Sequence, residues 1–406
     1  MPNTQEYIQE VERFSAHNYH PLPVVLERGE GCWVWDVEGK KYLDCLSAYS
    51  AVNQGHRHPR IIGALEEQAS RLTLTSRAFH NDQMGPFLHE LCEATGFARA
   101  LPMNTGAEAV ETAIKAARKW GYEIKGVPDG EAEIIVCENN FHGRTTTIVG
   151  FSSEAQYRHG FGPFTPGFRM IRYGDADALA AAIGPNTVGF LLEPLQGEGG
   201  VVVPPDGWFA RCLELCRERN VLVLNDEIQT GLGRTGRLFC ADWEGDRGDV
   251  LIVGKALGGG VYPVSAVLAN DEVMDVFTPG DHGSTFGGNP LGAAVGRAAL
   301  RVILEEDLSG RSDRLGRWFR ERLREIDSPH IEEVRGRGLM IGVVIKRESG
   351  PARPFCEALQ ERAILAKETH EQVIRFAPPL VIEEETLEWA LPQIAEVVQG
   401  VGAGVG

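Results

Sequence analysis

The sequence predicts an α/β fold: a mostly parallel central sheet covered by helices, with a smaller α+β lobe drawn from the two ends of the chain. Three observations carry this. Short apolar strands alternate with helical segments through the middle of the chain, as in a sheet buried on both faces. After about residue 300 the texture changes, and amphipathic helices surround two further strands. The 406 residues, 43% of them hydrophobic, also exceed what one compact core usually holds.

Each element can be justified in turn. The stretch "CWVWDVEGKKYLDC" (Cys32 to Cys45) reads as a small β-meander behind a leading segment. From about Ala107 to Gly121 the pattern is helical, with Val110, Ile114 and Ala117 on one face. Glu111 stands four residues before Lys115, a favourable helical spacing. "EIIVCE" (Glu133 to Glu138) and "VGFLLEP" (Val188 to Pro194) are short buried strands. A helical pattern from Trp208 to Arg219 leads into "VLVLND" (Val221 to Asp226), and "DVLIVG" and "VSAVLAN" add two strands. Beyond them, a helix at Leu315 to Arg324 precedes the strands "GLMIGVVI" and "QVIRFAPPL". The expected division is 1–50 for the N-terminal segment, 51–300 for a large domain and 301–400 for a small one. The glycine-rich tail 401–406 is expected to fray.

Composition narrows the function. A formal net charge of −17 argues against a nucleic-acid partner, which demands clustered Lys and Arg. No run approaches the ~18 apolar residues of a membrane span, and the first residues lack the character of a signal or transit peptide. The eight cysteines are dispersed without CxxC spacing, as expected of small buried hydrophobes in a reducing, cytoplasmic compartment. "GHRHP" (Gly55 to Pro59) hints at a metal, but no set of further ligands accompanies it.

In an open α/β sheet, ligands bind beyond the carboxyl ends of the strands. Asp226 ends an apolar strand, Lys255 follows another, and "NTGAEA" (Asn104 to Ala109) opens a helix. A Walker loop fails here: Gly248 and Gly254 have five residues between them, and Ala256 follows Lys255. A GxGxxG fingerprint is missing too. The start of a helix at Thr105, Gly106 and Ala107 can bind phosphate through its backbone. A carboxylate can hold a protonated ring nitrogen, and a desolvated lysine is a nucleophile toward an aldehyde. Phosphate, ring nitrogen and aldehyde together describe pyridoxal 5'-phosphate. Any one of these residues alone would be ordinary: a solvent-facing lysine, a turn aspartate, a capped helix.

"LNDEIQTGLGRTG", "VGKALGGGVYPVSAV" and "HGSTFGGNPLG" resemble the central signature of the class III, fold-type I pyridoxal-phosphate aminotransferases. "LPMNTGAEAVETA", "LLEPLQGEGGVVVP", "VIRFAPPLVI" and the segment from Ala16 to His56 are similar to members that act on ornithine. The resemblance runs from about residue 16 to 390. It implies that Lys255 bonds the cofactor's aldehyde, with the glycines after it letting backbone and cofactor approach closely. It further implies that Asp226 pairs with the pyridinium nitrogen, Gln229 approaches the ring hydroxyl, Phe141 stacks on the ring with His142 beside it, and Thr105, Gly106 and Ala107 hold the phosphate. His142 stands where some ornithine-acting members are expected to carry tryptophan. Ser284 and Thr285 would serve the phosphate of the neighbouring subunit, so a homodimer is implied.

For substrate, the resemblance points to Tyr19 and Arg144 gripping the α-carboxylate of ornithine, with Tyr49 shaping the pocket. Arg375 would bind the α-carboxylate of 2-oxoglutarate, and Glu198 would mask it while ornithine is bound. The implied products are glutamate and glutamate 5-semialdehyde, which cyclises, in either arginine breakdown or proline supply. Other terminal-amine aminotransferases, acting on N-acetylornithine, 4-aminobutyrate or putrescine, are the nearest alternatives. Glutamate-1-semialdehyde aminomutase chemistry is a more distant one.

Overall fold

The computed structural model describes residues 3–400; the tail 401–406 lies outside the described residues. The strands are β1 (Leu26–Glu30), β2 (Trp33–Asp36), β3 (Lys41–Asp44), β4 (Arg99–Met103), β5 (Glu133–Cys137), β6 (Phe168–Ile171), β7 (Thr187–Leu192) and β8 (Leu222–Asp226). They continue with β9 (Val250–Val253), β10 (Ser265–Ala269), β11 (Ile331–Arg337), β12 (Met340–Ile345), β13 (Ile364–Leu365), β14 (Lys367–Thr369) and β15 (Val373–Phe376).

The central sheet has seven strands in the order β4-β10-β9-β8-β7-β5-β6. The pairs from β6 through to β9 are parallel, whereas β10 runs antiparallel to both β9 and β4. Both faces are buried, and the period of two along each strand decides which residue faces which helix. Ile134, Val136, Leu224 and Ile252 pack with the helix Gly106–Trp120, while Ile135, Cys137, Phe190 and Val223 pack with the helix Trp208–Glu218. That two-sided burial is why these strands read as unbroken apolar runs.

Two smaller sheets flank it. The N-terminal meander β1-β2-β3 is extended by β13, which joins β3 in parallel from more than 300 residues away. An antiparallel sheet, β11-β12-β15-β14, forms the third. One contiguous core links Val253 and Leu268 of the central sheet with Phe319, Ile341, Phe376 and Ile394.

Two expectations need correction. The helix expected at Leu315 begins earlier, at Leu308, because the Asp307 carboxylate accepts the Gly310 N–H at 3.1 Å and starts it across a polar stretch. Glu111 and Lys115 do not pair. Glu111 accepts from the Thr145 hydroxyl at 2.5 Å, and Lys115 donates to the Asp281 carbonyl at 3.1 Å, so tertiary partners displace the helical one. The glycines after Lys255 also serve another purpose. Gly259 and Gly260 have φ of +59° and +69°, and a Cβ there would lie 2.7 Å from Ile61 and 3.0 Å from Val52. They let the chain turn against its own neighbours.

All eight cysteines are free and seven are buried. No helix among the described residues is long and apolar enough to cross a membrane. His56 and His58 bind Asp44 and Glu306, and no group of three potential metal ligands occurs among the described residues.

Candidate active site

A cavity of about 200 Å³ opens at the carboxyl ends of β7, β8 and β9, lined by Gly106, Ala107, Phe141, His142, Gly143, Glu193, Asp226, Ile228, Gln229, Thr230 and Lys255. Asp226 is the last residue of β8 and is buried. One of its carboxylate oxygens accepts the Ile228 N–H at 3.0 Å; the other lies 2.6 Å from His142 Nδ1. Burial works against a charge on His142, but the hydrogen bond and charge of Asp226 prevail and raise its pKa. The other ring nitrogen of His142 has no partner.

Lys255 follows β9 after a single glycine and takes φ +44°, a left-handed conformation that a lysine adopts only under constraint. Burial lowers its ammonium pKa to about 8, against the opposing pull of Glu198. A lysine so shifted supplies neutral amine near neutrality.

Across the cavity, Thr105 caps the helix Gly106–Trp120 by accepting the Glu108 N–H, and Glu108 accepts in return from Thr105 N–H at 2.8 Å. This capping box holds the start of the helix, leaving Gly106 and Ala107 to present their N–H groups outward. Gly106 packs closely as well: a Cβ there would lie 3.1 Å from the Ile228 side chain, a tight contact.

Glu198 and Arg375 form an ion pair of 2.5 Å beside this group. Burial raises the Glu198 pKa, but Arg375 and then Lys255 outweigh it and bring it to about 2. Gln229 donates to Glu198 at 3.0 Å. The Arg375 guanidinium lies 5.1 Å from the centre of the Tyr49 ring. Arg144 is exposed and rests on aromatic rings, 3.6 Å from the Tyr157 centroid and 5.2 Å from that of Phe141. Tyr19 is also exposed.

Ser284 and Thr285 do not line the cavity of their own chain. Ser284 accepts from Asn104 at 2.8 Å, just before the capped helix, and Thr285 is exposed. A second cavity, about 400 Å³, is framed by Asp206, Glu244 and Asp313 against Arg317, Arg320 and Arg337. It has no lysine, and nothing there matches the chemistry of the first.

A model of the family described as aminotransferase class-III matches residues 14–398. The chain belongs to the class-III aminotransferases. An ornithine aminotransferase of Brevibacillus brevis is 58% identical to this aminotransferase over 98% of the chain and 99% of its own. One from Geobacillus sp. is 59% identical over 99% and 100%. Among solved structures, an ornithine aminotransferase from Toxoplasma gondii superposes with a TM-score of 0.97 at 47% identity, over 98% of this chain and 95% of that one. An acetylornithine aminotransferase from Elizabethkingia anophelis gives 0.89 at 49% identity, over 98% and 99%.

Class-III aminotransferases depend on pyridoxal phosphate, and the Toxoplasma structure is described with it at the active site. The cavity of this aminotransferase fits that group. It offers a buried carboxylate at one wall, a lysine of lowered pKa and a helix start for an anion.

Glu193 was missed as a site residue. It ends "VGFLLE" as Asp226 ends "VLVLND" and directly follows the neighbouring strand, so the strand-end rule alone would have found it. Burial raises its pKa to about 7, and it accepts the Phe141 N–H at 2.9 Å.

Proposed function

We propose that this aminotransferase moves the δ-amino group of L-ornithine to 2-oxoglutarate, giving glutamate and glutamate 5-semialdehyde. The observation that carries the reading is the unequal state of two arginines. Arg375 is masked by Glu198, while Arg144 stands exposed on aromatic rings. A substrate carboxylate therefore meets Arg144 first, and planar bidentate recognition is what arginine supplies. Held there, with Tyr19 and Tyr49 beside it, a diamino acid directs its far amine to the cavity. A 2-oxo diacid needs the second arginine, which becomes free when Glu198 moves away.

Bound in the cavity, pyridoxal phosphate supplies an aldehyde for amines and a ring that accepts electrons. Lys255 is the amine that would hold that aldehyde and, once free, the base that moves a proton within the cavity. Asp226 would keep the ring nitrogen protonated, oriented by His142. Gln229 would face the ring hydroxyl and Phe141 the ring plane. Thr105, Gly106 and Ala107 would hold the phosphate. The working form is a cytoplasmic homodimer, with Ser284 and Thr285 of each protomer reaching the other's phosphate.

The test is turnover of L-ornithine with 2-oxoglutarate by the cofactor-loaded protein, trapping the cyclised product with 2-aminobenzaldehyde. N-acetylornithine, 4-aminobutyrate and putrescine run in parallel, scored by glutamate formed. Strong turnover with ornithine alone supports the reading. A faster rival amine would overturn the substrate while leaving Lys255 and Asp226 in place.

A further inference from the structure

Tyr49 sits in an unusual backbone. Ser47, Ala48, Tyr49 and Ser50 have φ of 51°, 47°, 61° and 72°, so four consecutive residues, none of them glycine, are left-handed. Each is disfavoured, because Cβ crowds the following carbonyl, and such residues normally occur singly. A run of four persists only if its surroundings impose it.

The surroundings are a set of short polar contacts centred on Asp44, at the end of β3. One Asp44 oxygen accepts the N–H groups of Leu46 and Ser47 at 2.8 and 2.9 Å. The other lies 2.8 Å from His56 Nε2, in the "GHRHP" stretch that holds no metal cluster. The Ser47 hydroxyl donates to the Ala377 carbonyl at 2.7 Å, two residues beyond Arg375. The turn closes on itself through Ala51 N–H to the Ser47 carbonyl at 2.9 Å.

What it presents reaches the substrate end of the cavity twice. The Tyr49 ring lies under the Arg375 guanidinium, and the Tyr49 carbonyl is 3.4 Å from Gln229 Nε2, the donor that also holds Glu198. We propose that Asp44 and His56 are positioning residues: they clamp the left-handed turn so that Tyr49 keeps Arg375 and Glu198 together, favouring the terminal amine of ornithine over the α-amine of glutamate. The inference rests on the proposed ornithine reaction.

The test follows the two half-reactions separately in the cofactor-loaded protein, by the cofactor's absorbance, with L-ornithine and with L-glutamate. Asp44→Asn should lower the ornithine-to-glutamate ratio of kcat/KM by roughly 2- to 30-fold, the span over which residues away from a ligand alter its binding. In a Tyr49→Ala background the same substitution should leave the ratio unchanged. Ala48→Gly, which accepts positive φ freely, should restore part of the ratio lost in Asp44→Asn. A merely structural role predicts otherwise: both half-reactions fall together, or the loss repeats in full beside Tyr49→Ala. Either result overturns the clamp. If ornithine does not react but another amine does, the ornithine reading fails, and the same cycle run on that amine against glutamate still decides the clamp.

Discussion

On one side of the cavity, Asp226 closes β8, Glu193 stands just beyond its parallel neighbour β7, and Lys255 stands just beyond β9. At the substrate end, Tyr49 follows β3 of the meander, Glu198 follows β7 of the central sheet, and Arg375 lies within β15 of the third sheet. The first group is placed by one sheet and a local rule. The second exists only where three sheets meet. On the proposed reading, chemistry common to every amine rests on one sheet, while the choice among amines depends on how separate pieces pack.

That contrast can be broken by experiment, beginning with the largest effect. Lys255→Ala should abolish turnover of all amines alike, by at least ~10³-fold, since it removes both the amine and the proton carrier. A measurable rate with any one amine would put the common chemistry elsewhere. Asp226→Asn should lower kcat by roughly 100-fold, equivalent to ~2.7 kcal/mol, again equally for every amine. An NMR titration should find the His142 pKa lower in that variant, because the carboxylate that raises it is gone.

Substrate-end changes should instead alter ratios. Glu198→Ala unmasks Arg375, so the α-amine reaction of glutamate should gain on the ornithine half-reaction by ~10-fold, or ~1.4 kcal/mol. Equal losses in both half-reactions would dissolve the distinction between the two ends.

The last prediction concerns stability rather than rate. The folded-state pKa of Glu193 is raised to about 7 from an ordinary 4.5. The folded state therefore binds more protons than the unfolded one between those values. Its stabilising contribution is complete below pH 4.5 and is lost as pH rises through 7. Glu193→Gln should flatten that loss, as read by denaturant unfolding of the cofactor-free protein at pH 5 and pH 8. An unchanged difference between the two pH values would mean that Glu193 is ionised throughout.

How much of this was legible in the sequence follows the same division. Strands such as "EIIVCE" and "VLVLND" were readable because burial on both faces leaves unbroken apolar runs. Asp226 and Lys255 were readable because they interrupt those runs at the end where ligands bind. Tyr49, Arg144, Glu198 and Arg375 gave no such signal, and only the family resemblance pointed to them.

The sequence by itself determined the alternation of strands and helices, the capped start of the helix Gly106–Trp120 and the reactive residues at the strand ends. Each of these is written in neighbouring residues through period, capping and charge. Tertiary structure alone decided that β13 completes the N-terminal meander, that Glu111 and Lys115 take separate partners, and that four residues around Tyr49 are left-handed. Those outcomes draw on groups far apart in the chain, from 34 residues for Glu111 and Thr145 to 330 for Ser47 and Ala377. Local propensity favours the opposite hand at the turn and the pair within the helix. Only the packed chain supplies the contacts that outweigh it.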